Sequence, residues 1–595
     1  MTTTAPMPTA PAGRPWVAHY EVGVPAEVAV PETPVDGLLR NAATSYGDRD
    51  ALIFFGARTT FAELDRAADR FAHVLRGMGV DKGDRVSLHL PTSPAFVIAF
   101  MGTLRAGAIA VPMNPLYVER ELSILFGQVA PKVSVVLDLL VPRMREVAAT
   151  AGGGHAGRLI VTGIQDSLPV PIKWLYPLKA RREARWNPQP HSDATPSVFR
   201  LLREAPAEPM PSASAPDDVA VLQPTGGTTG IPKTAMLTHR NLVANAHQVA
   251  AWFPAIADGP VTVLCPLPLF HIYGLTVDMN FAILTGATLV LLPRFDPEQV
   301  LKAVPKYRPR LFPGAPIMYQ TLAHHPEVGK YDLSSIDACI SGAAPLAPEV
   351  QEAFERVTGG RVVEGYGLTE ASPVTHCNPV HGDRRNGTIG LPFPSTDARV
   401  VDDATGQPVA SGDVGELEVR GPQVMAGYWQ LPDETASVLH DGWLRTGDMA
   451  TMSEDGYFTI VDRKKDLVIV GGINVYPREV EEVLLEHPSV REAAVIGVAE
   501  ERHGEVPYAF VVLEPGATAT EAELQEHCRA NLARFKVPAT IEIRDELPKT
   551  MIGKVLRKDL RADVEARGAT AAPATHLVDP AVAGDMTDGQ GPPSD

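Results

Sequence analysis

Residues 61–111 switch repeatedly between two periodicities, and this alternation limits the possible folds more than any other feature. Residues 61–75 place apolar side chains at helical spacing, 85–90 read as a strand, 94–104 are helical again, and 108–111 form a short strand before Pro112. Strand–helix alternation of this kind builds parallel sheets with helices on their faces. The texture changes around 165–216, rich in Pro, Arg and Ala, which reads as a surface excursion. Alternation then resumes at 219–222. From about 466 a compact unit follows: a strand at 467–470, a helix over Pro477–Leu485 with Val480, Val483 and Leu484 on one face, strands at 493–498 and 508–513, a helix at 521–532 and a strand at 540–543. The expected class is α/β. A large N-terminal domain of parallel-rich sheets flanked by helices spans 25–461, a charged stretch 462–466 joins it to the next, and a small α+β domain spans 467–567. Residues 1–24 and 568–595 are expected to be disordered, being too poor in apolar bulk to fold.

Charge and cysteine usage exclude several classes. Lys and Arg number 53 against 71 Asp and Glu, a net charge of −18 with no long basic run, which argues against nucleic acid as a partner. Cys265, Cys339, Cys377 and Cys528 form no CxxC pair, so neither a disulfide framework nor a zinc module is expected, and a reducing, cytoplasmic setting fits. His376-Cys377 with His381 is a conceivable metal-ligand set, but metal binding there is not expected. The first 15 residues, rich in Thr, Pro and Ala, do not read as a secretory signal. Two uncharged runs, 261–277 and 279–293, approach membrane length. Pro266, Pro268 and His271 interrupt the first and Asp278 separates the two, so both read as buried strands and loops. The stretch 171–186 mixes aromatic residues with five cations, which suits peripheral contact with a membrane surface and equally a solvated basic loop.

One segment points to phosphate chemistry. Thr225-Gly226-Gly227-Thr228-Thr229-Gly230-Ile231-Pro232-Lys233-Thr234 follows a short hydrophobic strand. Glycines expose backbone N–H groups, threonines add hydroxyls, and Lys233 supplies a cation: many donors, no bulk, one charge. It is not a Walker A loop, because Pro232 precedes the lysine.

This string resembles the phosphate loop of the adenylate-forming enzymes, which include acyl-CoA synthetases, luciferases and peptide-synthetase adenylation domains. Four further segments match that family in order: Glu364-Gly365-Tyr366-Gly367-Leu368-Thr369-Glu370, Arg445-Thr446-Gly447-Asp448, Asp462-Arg463-Lys464-Lys465-Asp466 with Gly471-Gly472, and Pro548-Lys549-Thr550-Met551-Ile552-Gly553-Lys554. Within the family the wording is most similar to bacterial long-chain fatty acid–CoA ligases, as in Leu267-Pro268-Leu269-Phe270-His271-Ile272-Tyr273-Gly274. Thr234, where the family usually has Gly, and Pro224 depart from its pattern.

The resemblance implies an ATP-dependent ligase that converts a fatty acid, medium or long chain, to acyl-AMP and then to acyl-CoA, releasing pyrophosphate and AMP. In the first step a carboxylate approaches a phosphate, and two unit charges ~4 Å apart repel by about 1 kcal/mol in water and about 4 kcal/mol at an effective dielectric near 20. Mg²⁺ on Glu370 and the cations Lys233 and Lys554 would offset that repulsion. By the same resemblance Thr369 contacts the α-phosphate. Gly342, Ala343 and the Glu364–Gly367 segment with Tyr366 line the adenine slot, Asp448 takes the ribose, Arg463 binds ribose or phosphate, and His271 borders the acyl and adenylate pockets. A mobile C-terminal domain turning about Lys465 then withdraws Lys554 and brings Gly471 and Gly472 to a CoA tunnel. Three alternatives stay open: a fatty-acyl-AMP ligase, a CoA ligase for an aryl or other acid, and a non-catalytic acyl or nucleotide sensor. The oligomeric state is not legible.

Overall fold

The computed structural model describes residues 13–150, 156–170, 172–176, 195–225, 233–254, 260–470, 473–500, 504–550 and 553–567. Internal contacts divide the chain into two compact units. The first holds residues up to Ala398 with Glu418–Arg445 and Glu454–Tyr457; the second holds Arg399–Leu417, Thr446–Ser453 and the chain from Phe458.

The first unit is built on parallel sheets, as the alternation predicts. A seven-stranded sheet runs in the order Gly427–Tyr428, Lys233–Thr238, Val219–Thr225, Ile109–Pro112, Arg85–His89, Val133–Leu137, Arg158–Thr162. Its last five strands are parallel, and Val219–Thr225 turns back antiparallel into Lys233–Thr238. The Pro94–Arg105 helix is buried along its whole length, which is why it shows almost no polar face. Two four-stranded sheets follow, one carrying Thr262–Cys265 and Thr288–Leu291, the other Ala338–Ser341 and Arg361–Gly367. Leu311 bridges in parallel to both Val263 and Ala338, so the two continue into one another.

The apolar runs at 261–277 and 279–293 resolve as expected into interior segments: the strands Thr262–Cys265 and Thr288–Leu291, with a wide helical turn at Gly274–Asn280 between them. No helix among the described residues is long and apolar enough to cross a membrane. One expectation needs correction. Residues 13–24 are not unfolded: Pro15–His19 forms a 3-10 turn that buries Trp16 and Val17, and Tyr20 donates its hydroxyl to the Pro392 carbonyl at 2.7 Å. A few large side chains anchor a segment whose composition reads as disordered.

In the second unit a sheet of Ile473–Val475, Val468–Val470, Gly504–Leu513, Val490–Glu500 and Thr540–Arg544 has cores on both faces. Val495, Ala509 and Val511 pack with Leu484 and Leu524 of the helices Pro477–Leu485 and Glu521–Asn531. Their neighbours Ile496, Tyr508 and Phe510 pack with Leu560 and Val564 of the Arg557–Ala566 helix. Alternation along the strands therefore serves two apolar layers.

Candidate active site

Residues 226–232, with the expected phosphate-loop positions Gly226, Gly227, Thr228, Thr229 and Gly230, lie outside the described residues, as do Gly471 and Gly472. Both ends of the loop are fixed by the hairpin register, in which Thr225 pairs with Lys233. From its strand end Lys233 reaches Glu434 Oε2 with Nζ at 2.5 Å and lies 5.0 Å from the centre of the Tyr428 ring. Tyr428 donates its hydroxyl to Glu370 Oε1 at 2.8 Å. Burial, reinforced by the Glu370 carboxylate, pushes the Tyr428 phenol far above its ordinary range, so it stays a donor. Gly427–Tyr428 is held by antiparallel pairing to Ala235 and Met236, and Glu370 by its carbonyl, which accepts the Met425 N–H at 2.8 Å. Lys233 and Glu370, far apart in sequence, thus join one polar network through Tyr428.

Adjacent parallel strands bring together the residues expected to line the adenine slot. Ser341 pairs with Glu364, so Gly342-Ala343 and Gly365-Tyr366 leave neighbouring strand ends. Gly342 lies against Tyr273, where a Cβ would meet the ring at 3.0 Å. Tyr273 donates to the Ile340 carbonyl at 2.7 Å, and its N–H donates to His271 Nδ1 at 3.2 Å. Gln223, two residues before Thr225, donates to the Phe270 carbonyl at 3.1 Å, tying the His271 segment to the phosphate hairpin. Beyond Gly367, Thr369–Ala371 forms a 3-10 turn that carries Thr369 and Glu370. In open α/β sheets ligands sit at the carboxyl ends of parallel strands, and these residues all gather there.

The second unit holds the remaining predicted residues. Asp448 and Arg463 face each other on paired antiparallel strands, and Arg463 Nε lies 3.1 Å from Asp448 Oδ1, which is nearly buried. Lys554 follows Gly553, whose φ of +81° suits glycine, and its N–H is held by Thr550 Oγ1 at 3.1 Å. Burial and the nearby Arg463 guanidinium lower the Lys554 ammonium to about 8, against an opposing pull from Asp448. Lys465 is lowered by burial and by Arg463. Both sides of Lys465 are fastened: Asp462 accepts the Arg478 N–H at 2.8 Å, and Asp466 pairs with Arg561 at 3.0 Å. Burial raises Asp462 to about 6.

Sequence reasoning missed Tyr428 and Glu434. Gly427-Tyr428-Trp429 carries no signal until folding sets it beside Lys233. No group of three or more His, Cys, Asp or Glu side chains able to hold a metal exists among the described residues.

Residues 39–429 match the AMP-binding enzyme family and 479–554 match the AMP-binding enzyme C-terminal domain. The chain belongs to the AMP-binding enzyme family. It is 45% identical to a long-chain-fatty-acid–CoA ligase of Bacillus subtilis (strain 168), over 92% of this chain and 97% of that one. A long-chain-fatty-acid–CoA ligase of Yersinia pestis is 40% identical over 93% and 99% of the two chains. Among solved structures, ATP-bound MatB from Rhodopseudomonas palustris superposes with a TM-score of 0.80 at 31% identity, covering 90% of this chain and 100% of MatB.

Proposed function

We propose that this protein is an AMP-forming ligase that joins a fatty acid to CoA through an acyl-adenylate. The reading rests on near full-length likeness to long-chain-fatty-acid–CoA ligases, together with the Lys233–Tyr428–Glu370 network at the base of the phosphate hairpin. In the first half-reaction a carboxylate oxygen bonds to the α-phosphorus of ATP and pyrophosphate leaves. In the second the CoA thiolate bonds to the acyl carbon and AMP leaves.

Each residue has a task in this scheme. Lys233 and the backbone of the glycine–threonine loop hold the triphosphate. Thr369 hydrogen-bonds the α-phosphate, while Gly342, Ala343 and Tyr366 enclose adenine. Asp448 accepts the ribose hydroxyls, with Arg463 beside it. Lys554 meets the carboxylate and α-phosphate, where its charge stabilises the transition state of adenylation. His271 borders the acyl chain, and Gly471-Gly472 line the pantetheine path after the C-terminal domain turns about Lys465.

Glu370 suits Mg²⁺: one oriented carboxylate with no preformed cage is the donor set of an ion that takes its other ligands from phosphate and water. Bound there, Mg²⁺ would neutralise charge on the phosphates. By resemblance a fatty-acyl-AMP ligase carries an inserted segment in its small domain, and the absence of extra residues between Asp466 and Pro477 favours CoA as the acceptor.

AMP release from palmitate, CoA and MgATP tests the assignment. AMP formed only with all three supports it. Acyl-AMP accumulating without thioester would favour the AMP ligase instead, and nucleotide binding without turnover would favour a sensor.

A further inference from the structure

One buried carboxylate, Glu416, has no task in the scheme above. It stands on the strand Gly415–Arg420, and its side chain is 4% exposed. An ionised carboxylate removed from water is costly unless hydrogen bonds and an opposite charge meet it. Glu416 has both. Its Oε1 accepts the Gly447 N–H at 3.1 Å, and its Oε2 lies 3.5 Å from Lys464 Nζ.

These two contacts bracket the Asp448–Arg463 pair. The strand Trp443–Met452 lies between Gly415–Arg420 and Phe458–Arg463, with Asp448 in register against Arg463. Gly447 precedes Asp448 and Lys464 follows Arg463, so one carboxylate grips the neighbour of each. Gly447 has a φ of +72°, and a Cβ there would meet nothing within 4 Å. Glycine therefore serves the backbone conformation at this point rather than a close approach. Thr446 Oγ1 donates to the Leu417 carbonyl at 2.8 Å and accepts the Asp448 N–H at 3.1 Å. The kinked stretch that carries Asp448 is thus hung from Glu416 and Leu417, consecutive residues of one strand. Glu416, Leu417, Thr446, Gly447, Asp448, Arg463 and Lys464 all belong to the second unit.

We propose that Glu416 is a positioning residue for the nucleotide: it fixes the Gly447 kink so that Asp448 meets both ribose hydroxyls, and Lys464 fixes Glu416. The inference rests on the assignment of Asp448 to the ribose made above. A carboxylate accepts from two hydroxyls at once only when both of its oxygens are aimed at them. A displacement of ~1 Å, caused by a group that never touches the substrate, can cost about 100-fold. The backbone freedom of glycine makes an outside restraint necessary at Gly447, and the Glu416 carboxylate supplies it.

Calorimetric titration of the full chain with the magnesium complexes of ATP and of 2′-deoxyATP, without acid or CoA, tests the proposal. Wild type is expected to hold ATP about tenfold or more tighter, the worth of one hydrogen bond to a charged group. Glu416→Ala should bring that ratio close to one by weakening ATP more than 2′-deoxyATP. Glu416→Gln keeps an acceptor for the Gly447 N–H and should restore most of the ratio. Lys464→Met alters a half-exposed side chain and should lower the ratio a few-fold. If Asp448→Asn abolishes the preference for ATP and Glu416→Ala leaves it intact, the proposal falls and the ribose assignment stands. If wild type binds the two nucleotides alike, or binds neither, the ribose assignment falls as well. Should Glu416→Ala weaken both equally through loss of the fold, Lys464→Met decides, and an unchanged ratio there overturns the proposal.

Discussion

At the residue scale, Lys554 and Tyr428 make the sharpest predictions. In the proposed role Lys554 must be charged to stabilise adenylation, and with its ammonium lowered to about 8 it loses the proton as pH rises through that value. For ATP–pyrophosphate exchange, kcat/KM should therefore fall on a basic limb near pH 8, while thioester formation from presynthesised acyl-AMP should lack it. The same limb in both half-reactions would remove Lys554 from its assigned step. Tyr428→Phe deletes the hydroxyl that orients Glu370. A hydrogen bond to a charged group contributes ~1.5–3 kcal/mol, so kcat/KM for MgATP should drop about 10- to 100-fold with a shifted Mg²⁺ dependence. Unchanged magnesium titrations would show that Glu370 needs no such partner. Asp278 concerns stability instead. It is fully buried, and burial raises its carboxyl far above the usual range, so the folded protein keeps a proton that the unfolded chain releases near pH 4. Stability then declines as pH climbs above ~4, by up to ~1.4 kcal/mol per pH unit from this group. Asp278→Asn removes that slope, and its Tm advantage over wild type should widen from pH 5 to 7.

At the scale of elements, Gly367 marks where the strand Arg361–Gly367 ends against its neighbour. A Cβ there would lie 2.1 Å from the Pro373 carbonyl oxygen, so Gly367→Ala must displace backbone beside Thr369 and Glu370. Loss of Tm together with a raised KM for ATP is expected; an unaltered KM would mean that the turn is positioned from elsewhere. Strands and helices with a strong period were legible in the sequence. Pro477–Leu485 came out with identical ends because Val480 and Leu484 share one buried face. Arg557–Ala566 shows no clear period, because its charged residues outnumber the two that it buries, Leu560 and Val564. Pro15–His19 was hidden for the opposite reason: Trp16 and Val17 are buried from one short turn, which leaves no period. The site divides similarly. Motifs continuous in sequence could be read, whereas the facing of Asp448 and Arg463, or of Lys233 and Tyr428, depends on strand register, which local pattern does not encode.

For the whole molecule, the two half-reactions should separate genetically. Lys554→Ala is expected to suppress ATP–pyrophosphate exchange by orders of magnitude while sparing thioester formation from supplied acyl-AMP. Equal loss of both would mean that one lysine serves both steps or that the variant has unfolded, which circular dichroism distinguishes. The division by contacts bears on this, since Asp448, Arg463, Lys465 and Lys554 all belong to the second unit.

The single residue Leu311 has a wider effect than its size suggests. It stitches the strand leading to His271 to the strands bearing Gly342 and Tyr366. Strands advance ~3.3 Å per residue, and slips that keep side chains on their own face come in steps of two. A mis-set seam would therefore offset the two halves of the pocket by ~6.6 Å, more than any hydrogen bond spans. Alignment of these strand ends is thus decided during folding, along residues 310–314 that hydrogen-bond to both sides, long before any substrate arrives.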